Sequence, residues 1–267
     1  MLSGPNQRNP TLSALVVVYN EEAILEACLN RLDWVDDLVV VLDKCTDRSK
    51  EIAQHHNARL LEGSWEIEGP RRNTGIDFCE TDWILEVDAD EWISDELAQE
   101  IRQTINSPKY DVYNLKVDNY IGDKLIHHGW GGGSFGKPSY IGLFRKGVKT
   151  WGLQRLHPHL TVTGTESPED LKNPVIHRIY ADFSEMLRRL DRYTTSRAKD
   201  LVDRDEVASL PNAFRKFLSR FYKVFIRRNA YREGGYGFMI ALCAALYPLI
   251  SNIKAKYEEA PKKGDIE

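Results

Sequence analysis

Polar and apolar positions fall into a repeating order along the first hundred residues. Residues 12–18, 38–42, 58–61 and 83–87 are short, nearly continuous apolar runs. Runs of this length, bounded by polar residues, predict buried strands. Between them the apolar positions recur at helical spacing. Asn20-Glu21-Glu22 opens a helix with Ile24, Leu25, Cys28, Leu29 and Leu32 on one face. Thr46-Asp47 predicts a cap for a helix through Ile52 and Ala53, and a Gly69-Pro70 break a helix over 71–79. Ser94 predicts the cap of a helix that has Asp95 and Glu96 in its first turn and buries Leu97, Ile101 and Ile105. Strands alternating with helices imply a parallel sheet with right-handed crossovers, an α/β nucleotide-binding domain.

The rhythm changes at Tyr110. Val112, Leu115 and Val117 lie in a β-like run, and residues 140–145 and 175–177 predict further strands. Between them, residues 129–136 form a Gly-rich loop, Gly-Trp-Gly-Gly-Gly-Ser-Phe-Gly. It lacks the Gly-x-x-x-x-Gly-Lys order of a phosphate-cradling loop, so a lid or a plain surface loop is expected. From Asp182 the pattern is helical. Phe183, Met186, Leu187 and Leu190 share one face, and a helix over 213–228 interleaves six aromatic or aliphatic residues with Arg215, Lys216, Arg220, Lys223, Arg227 and Arg228. Gly234-Gly235-Tyr236-Gly237 then leads into an apolar helix over 238–250. The basic aromatic helix suits either packing with a solvated rim or a membrane interface. The apolar helix that follows favours peripheral membrane association through these helices.

The 267 residues suffice for one sizeable core plus an extension: a catalytic domain over 11–180, a helical extension over 181–258, and tails at 1–10 and 259–267. A net charge of −4 gives no reason to expect nucleic acid. Cys28, Cys45, Cys79 and Cys243 show no Cys-x-x-Cys spacing and predict free thiols in a reducing cytoplasm. A polar start and no stretch of ~18–20 apolar residues place the expected protein in the cytoplasm, on the inner face of the cell membrane.

The chemistry centres on Asp88-Ala89-Asp90-Glu91, just beyond the fourth apolar run. In an open α/β sheet, ligands bind outside the carboxyl ends of the strands. Two carboxylates this close repel, and Mg²⁺ or Mn²⁺ bridging to substrate phosphates would relieve them. Asp-x-Asp alone is also what two solvated helix-capping aspartates look like, so the context decides. An EF-hand loop is excluded, because Ile93 and Gln99 occupy the positions that need Gly and Glu. A haloacid-dehalogenase-type phosphatase carries its Asp-x-Asp on its first strand, whereas two βα patterns come first here.

Together these pieces resemble the family 2 glycosyltransferases of GT-A fold, and in particular bacterial lipopolysaccharide core-type transferases of the heptose β-1,4-glucosyltransferase kind. Carrying the resemblance are Tyr19-Asn20-Glu21-Glu22, Asp43 with Cys45-Thr46-Asp47, Arg72-Asn73, Asp88-Ala89-Asp90-Glu91, His128-Gly129-Trp130, Leu143-Phe144-Arg145-Lys146, Asn173-Pro174 with His177, and Gly235-Tyr236-Gly237-Phe238. It implies a Rossmann-like, mostly parallel GT-A sheet with a helical C-terminal extension, and an inverting transfer from a nucleotide-diphosphate-sugar, with a UDP-sugar the expected donor. The acceptor it implies is a lipid-linked or envelope glycan. By the same resemblance Val18, Tyr19 and Glu21 line the nucleotide pocket, and Asp43 contacts base or ribose. Arg72 lies near base or phosphates, Asp88 holds ribose or metal, and Asp90 ligates the divalent ion.

The chain departs from these relatives at the base that takes the acceptor proton. Where many of them have Val-His-Glu, this chain has Leu156-His157-Pro158, and Lys137-Pro138-Ser139-Tyr140 replaces an Asp-bearing loop. The remaining candidates are Asp118 and His157, with Glu91 and His128 behind them. His157, His159 or His177 could serve as a third metal ligand or as a structural histidine. Two other readings stand beside this one. A sugar-nucleotidyltransferase would carry a Gly-rich, basic stretch where Tyr19-Asn20-Glu21-Glu22 stands, and the missing Glu keeps open a nucleotide-sugar-binding scaffold without activity.

Overall fold

The four apolar runs form the parallel half of one sheet. Strands β1 (Leu12–Val18), β2 (Asp37–Asp43), β3 (Arg59–Gly63) and β4 (Trp83–Val87) lie in the order β3-β2-β1-β4. A computed structural model describes residues 8–129, 137–154 and 159–258. They divide into two compact units: the residues up to Asp118 with Pro138–His177, and Asn119–Lys137 with the chain from Arg178 on. The second unit thus draws on two stretches of the chain, one after Asp118 and one from Arg178.

In the first unit the parallel strands are linked by helices α1 (Leu25–Leu29), α2 (Ser49–His55) and α3 (Glu68–Phe78). β4 leads through a two-residue strand β5 (Glu91–Trp92) into α4 (Asp95–Asn106), capped by the Ser94 hydroxyl, which accepts from Leu97 N. The sheet then turns antiparallel. β6 (Val112–Ile121), with its hairpin partner β7 (Lys124–Ile126), and β8 (Ser139–Arg145) extend it in the order β4-β8-β6, with β8 antiparallel to both neighbours. Strands β9 (Lys149–Trp151) and β10 (Leu160–Val162) form a separate antiparallel pair. Strand β11 (Val175–Tyr180) pairs with β5, setting His177 opposite Glu91. The short strands β5, β7, β9 and β10 had no apolar run to announce them.

Two helices differ from expectation. The helix foreseen from Asn20 begins only at Leu25, because residues 20–24 are held in a loop. Asn20 sits at φ +55°, and its side-chain oxygen accepts from Thr46 N (2.7 Å). Helix α3 starts at Glu68, before the Gly-Pro pair rather than after it. Proline is tolerated there because first-turn N–H groups have no partner inside the helix.

The second unit is built on α5 (Phe183–Asp203), α6 (Leu210–Tyr222) and α7 (Gly235–Tyr257). The Asp182 carboxylate caps α5 by accepting from Glu185 N. The expected basic aromatic helix is α6 followed by a π-helical turn, Lys223–Arg227. Its inward side chains Phe221, Val224 and Phe225 join Met186, Leu190, Ile240 and Ala241 in one core. Helix α7 corrects the expectation that no stretch is long enough to span a bilayer. The 23-residue helix passes by length and composition, because it continues through Pro248 beyond the run of 238–250, and an 18-residue window in it has a mean hydropathy of 1.6. Of that window, 44% is buried inside the protein.

Gly75 marks the closest packing of α3 on the sheet, where a Cβ would lie 2.8 Å from both Leu15 Cδ1 and Val41 Cγ2. Gly75→Ala should therefore destabilise the first unit by about 1–3 kcal/mol through overpacking. A urea midpoint equal to wild type would show that this contact is slack.

Candidate active site

The parallel strands end in side chains that are already committed to one another. At the ends of β1 and β2 two loops are joined through side chains. Asn20 accepts from Thr46 N, Glu22 from Arg48 N (3.0 Å), and Asp47 from Glu22 N (2.9 Å), while Ser49 Oγ accepts from Glu21 N (3.0 Å). Lys44, like Asn20, takes a left-handed backbone conformation here. Val18 is buried under this corner and Tyr19 is exposed beside it.

Asp43, at the end of β2, is buried. Its carboxylate accepts from Trp65 N (3.0 Å) and pairs with Arg71 Nη1 (2.9 Å). Arg71 is a site residue that the sequence reading missed, standing next to the expected Arg72.

Arg72 reaches three carboxylates from the first turns of α3: Glu68 through Nε (2.8 Å), Glu86 through Nη1 (2.6 Å) and Asp88 through Nη2 (2.9 Å). Its guanidinium lies 4.9 Å from the centroid of the Trp151 ring. Asn73 fastens β9 to α3, exchanging two 2.8 Å hydrogen bonds with the Trp151 backbone. Glu86 is buried at the penultimate position of β4, and its other oxygen meets Lys149 Nζ at 2.6 Å and Trp151 Nε1 at 3.3 Å. Burial opposes the charge on Glu86, but Lys149 and Arg72 outweigh it and hold the carboxyl below its usual range. Burial likewise works against Arg72, yet Asp88, Glu86 and Glu68 drive its pKa well up. Lys149 is pulled down by burial and supported by Glu86.

The turn carrying Asp88 and Asp90 is fixed from beneath. Glu91, fully buried, accepts from Asp88 N (3.0 Å) and from the Tyr140 hydroxyl (2.6 Å), which also reaches Glu86 O (3.2 Å). Burial and the charges of Glu91 and Asp88 push the Tyr140 phenol well above its ordinary pKa, so it stays a proton donor. Beneath the same turn, burial and the charges of Glu91, Asp90 and Asp88 push the Cys28 thiol up, leaving it inert. Asp90 Oδ2 lies 3.4 Å from His177 Nε2, close enough for one cation to touch both.

The structure thus joins Arg72 to Asp88 and Asp90 to His177, while Asp43 is held by Arg71. Asp118 lies half-buried on β6, on the opposite strand face from Val117. His157, with Leu156, Pro158 and residues 130–136 of the glycine loop, lies outside the described residues. His159 is exposed, without a resolved link to the acids. In the second unit His128 pairs through Nδ1 with Glu233 (2.7 Å), which also accepts from His127 N and His128 N. A separate cavity of about 390 Å³, lined by Lys109, Tyr110, Tyr113 and Lys172 among others, contains none of the strand-end acids. Among the described residues, no three His, Cys, Asp or Glu side chains group as a metal-ligand set.

Residues 13–158, more than half of the chain, match the family model for glycosyl transferase family 2. The chain belongs to that family. This glycosyltransferase is 25% identical over 252 residues to an uncharacterized glycosyltransferase of Rickettsia felis, covering 88% of this chain and 85% of the relative. It is 22% identical to the lipopolysaccharide core biosynthesis glycosyltransferase LpsC of Rhizobium meliloti, covering 94% of each. Among solved structures it is similar to S. aureus TarS 1-349 in complex with UDP-GlcNAc, with a TM-score of 0.43 and 21% identity, covering 52% of this chain and 46% of that one. The chain therefore spans less than half of that structure. Its own sheet, with the parallel order β3-β2-β1-β4 followed by antiparallel strands, is the expected GT-A architecture with a helical C-terminal extension.

Tyr140→Phe in this glycosyltransferase removes the hydroxyl that satisfies the buried Glu91 carboxylate. It should cost about 1–3 kcal/mol of stability. Chemical denaturation showing less than about 0.5 kcal/mol lost would deny the hydroxyl that role.

Proposed function

We propose that this glycosyltransferase moves a sugar, with inversion, from a nucleotide-diphosphate-sugar to a lipid-linked or envelope glycan of lipopolysaccharide core type, with a UDP-sugar as donor. The observation that carries this is the placing of Asp43, Asp88 and Asp90 at the carboxyl ends of β2 and β4, on either side of β1, with Arg72 of α3 on Asp88 and His177 against Asp90. The acceptor class is supported by the likeness to LpsC along nearly the whole chain.

In this reading Val18, Tyr19 and Glu21 form the wall for the base, and Asp43, braced by Arg71, meets base or ribose. Arg72 lies toward base or phosphates. Asp90 and His177 would hold Mg²⁺ or Mn²⁺, with Asp88 between ribose and metal. The donor set fits, since a carboxylate oxygen and an imidazole nitrogen 3.4 Å apart can share one ion, and substrate phosphates would complete its coordination. Such an ion supplies charge neutralisation for the departing nucleoside diphosphate. Asp118 and His157 are the two candidates for taking the acceptor proton.

For attachment, α6 offers a specific face. Leu210, Phe214, Leu218, Tyr222 and Ile226 recur every four residues, and all five are exposed. Arg215, Lys216, Lys223 and Arg227 flank them, and residues 210–228 contain no acid. An apolar stripe with a cationic rim suits an anionic membrane surface at the cytoplasmic side.

Asp90→Ala should lower transfer by at least about 100-fold, if the ion supplies several kcal/mol of charge stabilisation. The measurement is release of nucleoside diphosphate from a panel of sugar nucleotides with Mg²⁺ or Mn²⁺. Unchanged turnover in the variant removes the metal role. Loss of turnover should follow either Asp118→Asn or His157→Ala, by about 100-fold or more, and the one that retains activity is not the base. Co-sedimentation of the full chain with phosphatidylglycerol vesicles should drop several-fold in Phe214→Ser/Leu218→Ser. Equal binding by the variant would refute attachment through α6.

A further inference from the structure

Arg72 and Asp88 form a contact that their own positions do not guarantee. An arginine side chain has several rotatable bonds, and holding it in one geometry costs much of that freedom. Asp88 is a third exposed, so a pair made by these two alone would be weak and mobile. Here the guanidinium is held on its other sides. Glu68 takes Nε, Glu86 takes Nη1 at 2.6 Å, and the Trp151 ring lies against its face. Only Nη2 points on to Asp88.

Glu86 makes this possible, and Lys149 makes Glu86 possible. A lone carboxylate buried in a strand would favour its neutral form. Lys149, itself buried, meets the second oxygen at 2.6 Å and donates also to Ile141 O (2.7 Å). Glu86 therefore offers Arg72 a charged acceptor. Lys149 stands on β9, whose Trp151 is tied to Asn73, the residue after Arg72. Helix, strand and hairpin thus meet at one guanidinium.

We infer that Glu86, supported by Lys149, is a positioning residue for donor binding: it anchors Arg72 so that the guanidinium holds the Asp88 carboxylate in the orientation the donor requires. The inference rests on the reading of Arg72 and Asp88 as donor-binding residues. It adds two residues that touch no donor themselves.

Two double variants separate anchoring from simple structural support. Glu86→Gln/Lys149→Met removes the buried ion pair but leaves an amide oxygen to accept from Arg72 Nη1. Glu86→Met/Lys149→Met removes the pair and the anchor together, and replacing a buried ion pair by apolar side chains of similar size is often neutral for stability. Binding of UDP, GDP, CDP and dTDP in the presence of MnCl₂ is measured by calorimetry for wild type, both double variants and Arg72→Ala, alongside thermal melting. The nucleotide that wild type binds best is the probe.

The expected result is a Gln/Met variant within about three-fold of wild-type affinity and a Met/Met variant weaker by about ten-fold or more. Arg72→Ala should be at least as weak as Met/Met. Both double variants should melt close to wild type. If Met/Met melts lower, calorimetry is repeated at 10 °C, where the variant is shown folded by circular dichroism, and equal affinity there overturns the inference. Weak binding by Arg72→Ala with wild-type affinity in Met/Met also overturns it while leaving the donor reading intact. Wild-type affinity in Arg72→Ala, or no binding of any nucleotide to wild type, defeats the donor reading itself and the inference with it.

Discussion

The site depends on a buried arrangement of carboxylates and the cations that hold them in place. Glu68, Glu86, Asp88, Asp90, Glu91 and Asp43 lie about the carboxyl ends of β2 and β4, the start of β5 and the start of α3, with Arg71, Arg72 and Lys149 among them. Like charges a few ångströms apart in a partly buried setting repel by several kcal/mol at an effective dielectric near 20. Cations offset part of this: Lys149 lies on Glu86, Arg72 between Glu86 and Asp88, and Arg71 on Asp43. Asp90, beyond the end of β4, lies against the His177 imidazole. In the proposed reading, a diphosphate approaching these acids would be repelled unless a divalent ion at Asp90 and His177 lay between them. The ion and the donor would then bind each other as much as they bind the protein.

The apolar strands supply the rigidity that this arrangement needs. β1, β2 and β4 are buried almost throughout, so their ends cannot drift relative to one another without opening the core. The loops above them are tied in turn, with Asn20 and Glu22 serving backbone N–H groups after β2 and Asp47 serving one after β1. Cross-tying of this kind settles the entropy cost of ordering the loops during folding rather than during donor binding.

Much of this was legible in the sequence, and the remainder failed for a definite reason. Buried parallel strands announce themselves as apolar runs, so β1, β2 and β4 and their terminal aspartates could be read directly. Asp182 and Ser94 cap the helices that their positions foretold. Glu86 was visible as one acid inside a strand otherwise apolar, yet nothing local shows that its counter-ion stands 63 residues later at Lys149. Tyr140, 49 residues from Glu91, is hidden in the same way. Such partners are chosen by topology, which brings β8 against β4 and β9 against α3. Arg72 was read and Arg71 was not, because adjacent helical residues diverge by about 100° and only geometry shows that both directions are occupied. The late start of α1 reflects tertiary override, since Asn20 serves the next loop better than it starts a helix.

The same distinction between composition and packing bears on how the second unit could meet a membrane. By composition α7 is the obvious candidate, apolar over most of its length. Yet Ile240, Ala241, Cys243, Ala244 and Ala245 on it are buried, with Met186, Leu190, Val224 and Phe221 in the same core. Moving α7 into lipid would give up that packing while gaining little, since lipid tails are no better an apolar environment than the core it would leave. Helix α6 has the reverse character. Its inward residues satisfy the core, and its outward stripe at four-residue spacing is exposed to solvent between cationic side chains. Covering that stripe removes apolar area from water at no cost in packing, and its rim interacts favourably with anionic headgroups. Of the two helices, α6 is the one that presents an apolar stripe without giving up core packing, which is why the proposed attachment is placed on it.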